Sequence, residues 1–216
     1  MASFAGPKIV TGGLKLFYDA ANTDSYSGSG STVYDLSGND NHGTLLNSPT
    51  FSSNNGGCFV FDGTDDRISF STVAIKTVCF WGRLSSGFAN LGALLATSNN
   101  GDGSLRVVSA GNGRFRASPD TNDFQKGSGL KEQLMMNGEA NLPSSSSNFI
   151  VPHGRTMLQD YYVGALGQNR NLSTISHSFH SRRYKGRVYA VLLYNRHLTF
   201  SELLQNYNSF KGRFNL

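Results

Sequence analysis

The chain has 216 residues, of which 38% are hydrophobic and only 15% are charged, so it is long enough to form one sizeable β-sandwich. Its 25 glycines favour turns over helix, and we predict a single all-β domain spanning residues 1–216. The sequence contains no apolar stretch long enough for a membrane span and no basic-then-apolar leader, so we expect neither membrane insertion nor Sec-dependent export.

Charge is unevenly distributed along the chain. The formal net charge is +5, but residues 1–66 hold seven Asp against two Lys, whereas residues 67–216 hold 17 basic residues against seven acids. We interpret the basic cluster Arg182, Arg183 and Arg187 as a candidate contact with an acidic partner surface. Nucleic-acid binding is not expected, because the sequence has neither a long Lys/Arg run nor a DNA- or RNA-reading motif.

Short runs of alternating hydrophobicity, separated by Gly- and Asn-rich turns, predict many strands, as in a sandwich or barrel. The predicted strands in chain order are 13–19, 32–36, 42–46, 58–62, 67–70, 77–84, 92–98, 105–109, 114–117, 130–136, 157–166 and 186–194. One helical turn is the alternative for 130–136. The last run is apolar on both faces, so we predict that it lies centrally with both faces covered.

One helix is predicted near the C-terminus. Thr199 is its N-cap, and Glu202, three residues later, completes a capping box. A stripe of apolar residues at helical spacing predicts that the helix packs on the sandwich and runs to about Ser209. The stripe consists of Phe200, Leu203, Leu204 and Tyr207.

Four stretches carry a resemblance to a known family. They read GLKLFYDAAN (13–22), VYDLSGNDNHGTL (33–45), FVFDGTDDRISF (59–70) and GRVYAVLLYNRHLTFSELLQNYN (186–208). In this order they resemble the concanavalin A-like (laminin-G-like) domains of phage and other viral virion proteins, whereas residues 84–185 match only weakly. The resemblance implies a two-sheet jelly-roll sandwich with the C-terminal helix as a brace.

The resemblance also implies a role. It indicates a non-enzymatic virion structural protein, such as a capsid decoration, minor capsid or tail-associated protein, that is assembled in the host cytoplasm. Such a protein would contact the major capsid protein or tail components and be present in many copies. The alternative is a lectin-like module that binds host-surface glycans, since this fold hosts several functions.

A glycoside hydrolase is the least favoured hypothesis. Glycosidases of this fold use closely spaced carboxylates, typically two Glu near an Asp on one strand. This chain has only three Glu, at 132, 139 and 202, and they do not form that pattern. We therefore expect no catalytic residues.

Aromatic residues supply the candidate sugar-binding groups. Tyr161 and Tyr162 are adjacent on a predicted strand, so we expect one of the two rings to face outward and stack on a ligand. Trp81 lies mid-strand and is predicted to be a core residue. Cys58 and Cys79 lie in apolar runs and are predicted to be free thiols, with a bridge between strands as the alternative.

The richest acidic segment is the turn that contains Asp62, Asp65 and Asp66. Its clustered oxygens are of the type that binds Ca²⁺. We favour turn chemistry instead, in which the carboxylates accept hydrogen bonds from nearby backbone N–H groups. The same interpretation applies to Asp35, Asn39 and Asp40, and no cofactor is expected.

Overall fold

The structure, a computed structural model, describes residues 8–86, 92–96, 105–109, 114–117, 135–136, 139–140, 148–150, 161–176 and 183–214. Strands dominate these residues, and a single α-helix, α1, follows near the C-terminus. The elements are β1 (Leu14–Asp19), β2 (Thr32–Val33), β3 (Gly43–Leu46), β4 (Thr50–Ser52), β5 (Cys58–Asp62), β6 (Arg67–Leu84), β7 (Gly92–Ala93), β8 (Leu95–Ala96), β9 (Leu105–Ser109), β10 (Arg114–Ala117), β11 (Met135–Met136), β12 (Glu139–Ala140), β13 (Asn148–Ile150), β14 (Tyr161–Ile175), β15 (Lys185–Tyr194) and α1 (Phe200–Phe210).

The strands form one large curled sheet and one small sheet, and all pairs are antiparallel. The central path of the large sheet is β12-β11-β14-β6-β15-β5-β4, and the small sheet is β13-β10-β9-β7. Further pairings of β1 with β15 and of β3 with β6 extend the large sheet. The predicted all-β sandwich with a C-terminal helix is confirmed.

The predicted strands 130–136, 157–166 and 92–98 are described only in part. Residues 130–134, 157–160 and 97–98 lie outside the described residues. The remainder of each segment is in strand conformation, in β11, β14, β7 and β8, except for a bend at Leu94 between β7 and β8. The strand β14 continues beyond the predicted end, through Ile175.

The strand β6 replaces two predicted strands. We expected separate strands at 67–70 and 77–84, but the structure has one continuous strand of 18 residues. The intervening residues maintain the pairing with β14, and Val73 and Ile75 bury their side chains in the core. The first part of β6 pairs with β3 and the second with β15, so this strand joins the two parts of the curled sheet.

The strand β15 lies centrally, as predicted. It pairs with β1, β5 and β6, and residues 188–194 are all buried. Its side chains supply two separate hydrophobic clusters, one on the inner face of the curled sheet and one on the outer face beneath α1. Trp81 belongs to the outer cluster and is fully buried, which confirms its predicted core position.

The predicted capping box of α1 is present. The Thr199 backbone N–H donates to Glu202 Oε2 at 2.9 Å, and the Glu202 N–H donates to Thr199 Oγ1 at 3.3 Å. Arg196 reinforces the cap, because its Nη1 donates to Oε2 at 2.9 Å and its Nη2 donates to Oε1 at 2.5 Å. This arrangement lowers the pKa of Glu202 to about 2, chiefly through the Arg196 hydrogen bonds.

Polar groups also hold α1 against the sheet. The buried Asn206 side chain accepts from the Val10 N–H at 2.9 Å and donates to the Tyr194 hydroxyl at 3.0 Å. Both cysteines are buried and form no disulfide with each other, as predicted, and burial raises the pKa of Cys79 to about 11. Within the described ranges, no helix has the length and apolar character needed to cross a membrane.

Candidate functional site

The expectation that Tyr161 or Tyr162 faces outward is wrong. The two side chains do point to opposite faces of β14, but both faces are covered, and the residues are 3% and 0% exposed. Tyr161 stacks on Phe80 in the inner cluster, with 6.1 Å between ring centroids. Tyr162 packs on Trp81 at 4.5 Å and donates its hydroxyl hydrogen to Leu203 O in α1 at 3.1 Å. Neither ring is available to stack on a sugar.

The acidic turn uses its carboxylates for local hydrogen bonds, as predicted. Asp66 Oδ2 accepts from the Asp62 N–H at 2.9 Å, and Asp62 Oδ1 accepts from the Thr64 N–H at 2.6 Å. Burial, together with the charges of Asp62 and Asp65, raises the pKa of Asp66. In the part of the chain that the structure describes, no three His, Cys, Asp or Glu side chains are grouped for metal binding.

The loop between β2 and β3 is organised around the buried carboxylate of Asp35. Its Oδ1 accepts from the backbone N–H groups of Phe17 at 2.8 Å and Ser37 at 2.9 Å. Its Oδ2 accepts from the Ser37 hydroxyl at 2.7 Å and the Asn41 N–H at 3.1 Å. Four hydrogen bonds satisfy the carboxylate, so Asp35 holds the loop together, which confirms the predicted turn chemistry.

Two amide side chains fasten this loop to β1. Asn39 Nδ2 donates to Leu14 O at 3.0 Å, and Asn41 Nδ2 donates to Lys15 O at 2.7 Å. The Tyr18 hydroxyl donates to Asn41 O at 2.5 Å from the same strand. The polar residues of the DLSGNDN segment therefore fix the loop in one conformation.

The same loop presents an aromatic ring to solvent. Tyr34 is 50% exposed. Among the described residues it is the one large hydrophobic side chain that is exposed to solvent. Its backbone is nevertheless fixed, because its N–H donates to Ser25 O and its carbonyl accepts from Ser25 Oγ, both at 2.8 Å. A rigid backbone beneath an exposed ring is suited to recognition, because little freedom is lost when a ligand binds.

His42 lies at the edge of the Tyr34 ring. The ring centroids are 5.2 Å apart and the planes are inclined by 72°. His42 Nδ1 accepts from the Asp35 N–H at 3.1 Å, so the neutral imidazole carries its proton on Nε2 and offers it as a donor. We call Tyr34 and His42 the Tyr34 platform. Both residues belong to the VYDLSGNDNHGTL segment, but its sequence pattern does not indicate that they form a site.

The predicted basic cluster is described only in part. Arg182 lies outside the described residues, whereas Arg183 and Arg187 are half-buried. Arg187 on β15 lies directly opposite Arg83 on β6, a residue that was not predicted to belong to a site. These two arginines, with Leu84, Ser85 and Ser86, line a cleft of about 360 Å³, which we call the arginine cleft.

A second cavity, of about 330 Å³, lies beside the C-terminal segment. It is lined by Ala21, Asn55, Gly56, Gly212 and Arg213. Arg213 Nη1 forms an ion pair with Asp19 Oδ1 at 2.8 Å, and both side chains are largely buried. The guanidinium also lies 5.1 Å from the centre of the Phe214 ring. Arg213 thus attaches the C-terminal segment to β1.

No family profile matches the chain, and no curated protein is similar to it in sequence. Solved structures do match. A mutant of Trypanosoma rangeli sialidase displaying trans-sialidase activity aligns with a TM-score of 0.55 and 15% identity, over 95% of this chain and 34% of that chain. Trypanosoma rangeli sialidase in complex with sialic acid aligns with a TM-score of 0.54 and 15% identity, over 94% of this chain and 35% of that chain.

These likenesses concern the fold. The chain spans about a third of the length of the sialidase chains that it matches. The folded unit seen here therefore resembles a β-sandwich that also occurs within longer proteins. At this level of identity the comparison does not extend to activity.

Proposed function

We propose that the chain is a non-catalytic recognition domain that binds glycans through the Tyr34 platform. The observation that carries the proposal is the half-exposed Tyr34 ring on a loop whose backbone is fixed by Ser25 and by the Asp35 carboxylate. An aromatic face packs against the apolar face of a sugar ring. The His42 Nε2–H at the ring edge supplies a hydrogen-bond donor for a sugar hydroxyl.

The fold comparison supports a role with carbohydrates. Trypanosoma rangeli sialidases are among the matched proteins, and one of them was solved with sialic acid bound. A domain that corresponds to about a third of such a chain is suited to assist recognition. Glu202 is engaged by Arg196 and by the helix cap, which supports a non-catalytic role, while the side chains of Glu132 and Glu139 lie outside the described residues.

A glycan array probed with the purified chain, followed by titration of the best ligand, tests this proposal. Tyr34→Ala should weaken binding about tenfold, or about 1.4 kcal/mol, through loss of ring stacking. Tyr34→Phe keeps the stacking surface and should bind nearly as well as the unmodified chain. Absence of glycan binding by the unmodified chain, or equal affinity of Tyr34→Ala, would refute the proposal.

The setting that we propose is a virus particle. The sequence resemblance to virion proteins supports display of the domain in many copies, with the major capsid protein or tail components as partners. Weak contacts repeated on a lattice add up through effective concentration. The cluster of Arg182, Arg183 and Arg187 is the proposed attachment surface, because it lies in the basic part of the chain.

Mass spectrometry of purified particles tests the setting separately from glycan binding. We expect many copies of the protein per particle, and fewer copies after combined reversal of charge at the three arginines, because the proposed contact is electrostatic. If the protein binds glycans but is found only free in the lysate, the proposed role of the Tyr34 platform would stand and the proposed virion setting would be refuted.

A further inference from the structure

The arginine cleft contains a pair of like charges. Arg83 and Arg187 are register partners in the antiparallel pair of β6 and β15, so their side chains leave the sheet on the same face. Directly opposed like charges destabilise a sheet unless an opposite charge lies between them. The pair of arginines is therefore expected to have a counter-ion.

The antiparallel register fixes the two arginine backbones relative to each other, and a buried tyrosine lies against both. The Tyr184 hydroxyl lies 3.2 Å from Arg83 O and 3.0 Å from Arg187 O and can donate to either carbonyl. Burial raises the pKa of Tyr184, so the hydroxyl keeps its proton. The spacing of the two guanidinium-bearing residues is thus a fixed property of the sheet.

The described residues provide no carboxylate partner for either arginine. The ion pairs among them join Arg196 to Glu202 and Arg213 to Asp19. Among the described residues, the acid closest in register is Asp62, which lies opposite Lys185, and its Oδ1 accepts from the Thr64 N–H. The cleft therefore has two arginines and, among the described residues, no carboxylate that neutralises them. Such a cleft is suited to bind an anion from solution.

We propose that the arginine cleft binds an oxyanion, a carboxylate or sulfate group, carried by a ligand of about the size of a monosaccharide. Two guanidinium groups match the geometry of such an anion through paired N–H donors. Ser85 and Ser86 add hydroxyl groups to the lining, and the volume of about 360 Å³ falls within the range of small-molecule sites. The half-buried arginines and the concave surface accommodate a small ligand.

This site is distinct from the Tyr34 platform. The loop of the platform is attached to Phe17, which pairs with Leu192, whereas Arg187 lies at the other end of β15. The five residues from Arg187 to Leu192 correspond to about 16 Å along the strand. The inference therefore goes beyond the proposed glycan platform, and either one can fail without the other.

Titration of the full chain with sodium sulfate and with sodium glucuronate, followed by calorimetry and thermal melting, tests the proposal. Sodium chloride at matched ionic strength and neutral glucose are the ligand controls. We expect saturable binding that Arg83→Gln and Arg187→Gln each weaken about tenfold, because each removes charged hydrogen bonds. Arg67→Gln, at the far end of the same strand, is the matched control and should leave the affinity unchanged.

Stability without the anion separates loss of binding from loss of folding. In low salt, Arg83→Gln should melt no lower than the unmodified chain, because the substitution relieves the repulsion. If both sulfate and glucuronate bind, the site recognises oxyanions in general. If only one of them binds, that result identifies whether the site prefers a sulfate or a carboxylate group. Either result supports the site.

Three outcomes would overturn the proposal. The first is no saturable effect of sulfate or glucuronate beyond that of chloride, and the second is unchanged affinity in both arginine variants. The third concerns Asp160, which directly precedes β14 and lies outside the described residues. A tenfold gain of affinity in Asp160→Asn would mean that this carboxylate is the internal counter-ion, whereas the proposal expects no change.

Discussion

Two carboxylates organise two parts of the molecule by the same chemistry but in different surroundings. Asp35 accepts hydrogen bonds from two backbone segments within the loop and β1, and the residue is 8% exposed. Glu202 accepts from Thr199 at the start of α1 and from Arg196, and 26% of its side chain is exposed. Each residue belongs to a motif that is recognisable in the sequence.

The difference in burial decides what each carboxylate contributes to stability. A buried acceptor cannot regain its partners from water when a hydrogen bond is lost, so removing it incurs the full desolvation penalty of the groups left behind. A half-exposed ion pair competes with water and salt, and its net contribution is small. Asp35 and Glu202 accept similar numbers of hydrogen bonds, but their removal should therefore change the free energy of unfolding by different amounts.

The largest expected effect comes from Asp35→Asn. The substitution keeps the shape but replaces an acceptor oxygen with a donor that faces other donors, so the chain should lose about 3 kcal/mol of unfolding free energy. Asp40→Asn is the matched control, because Asp40 is exposed in the same loop and Asn tolerates its positive φ of 55°. Urea denaturation should show a change within about 0.5 kcal/mol for the control. Equal losses in the two variants would contradict the comparison.

A smaller effect is expected from Glu202→Gln, and it should depend on pH. The folded state lowers the pKa of Glu202 to about 2, so this carboxylate contributes stability above its unfolded pKa near 4.5 and loses it as pH falls towards 2. Because the group is partly exposed, we expect a difference of only about 0.5 kcal/mol from the unmodified chain at pH 7. Denaturation curves at pH 7 and pH 2 should show this difference disappearing in acid. A difference that persists at pH 2 would exclude the ion pair as its cause.

Local patterns predicted most of the described fold. Strands 58–62, 105–109 and 114–117 have the predicted bounds, and the capping box placed the start of α1 at Phe200. These features depend on neighbours within a few residues. The continuity of β6 was missed, because pairing with β14 maintains the strand across residues 71–76, and this pairing joins segments about 100 residues apart in the sequence.

The candidate sites depended on contacts that no local pattern contains. Alternation correctly separated the faces of Tyr161 and Tyr162, but it could not show that α1 covers the outer face. The exposure of Tyr34 follows from how its loop lies on β1. Arg83 joins Arg187 only through the register of β6 and β15, which the sequence does not specify.

The position of Trp81 gives the protein an internal optical reporter. It is the single tryptophan of the chain and lies at the contact between the sheet and α1, with its ring centroid 4.6 Å from that of Phe210. Its Nε1 is buried without a hydrogen-bond partner among the described residues, so the indole emits from an apolar environment in the folded state. Release of α1 from the sheet would admit water to this ring and move its fluorescence to longer wavelength. Emission from one residue thus reports docking of the C-terminal brace without any added label.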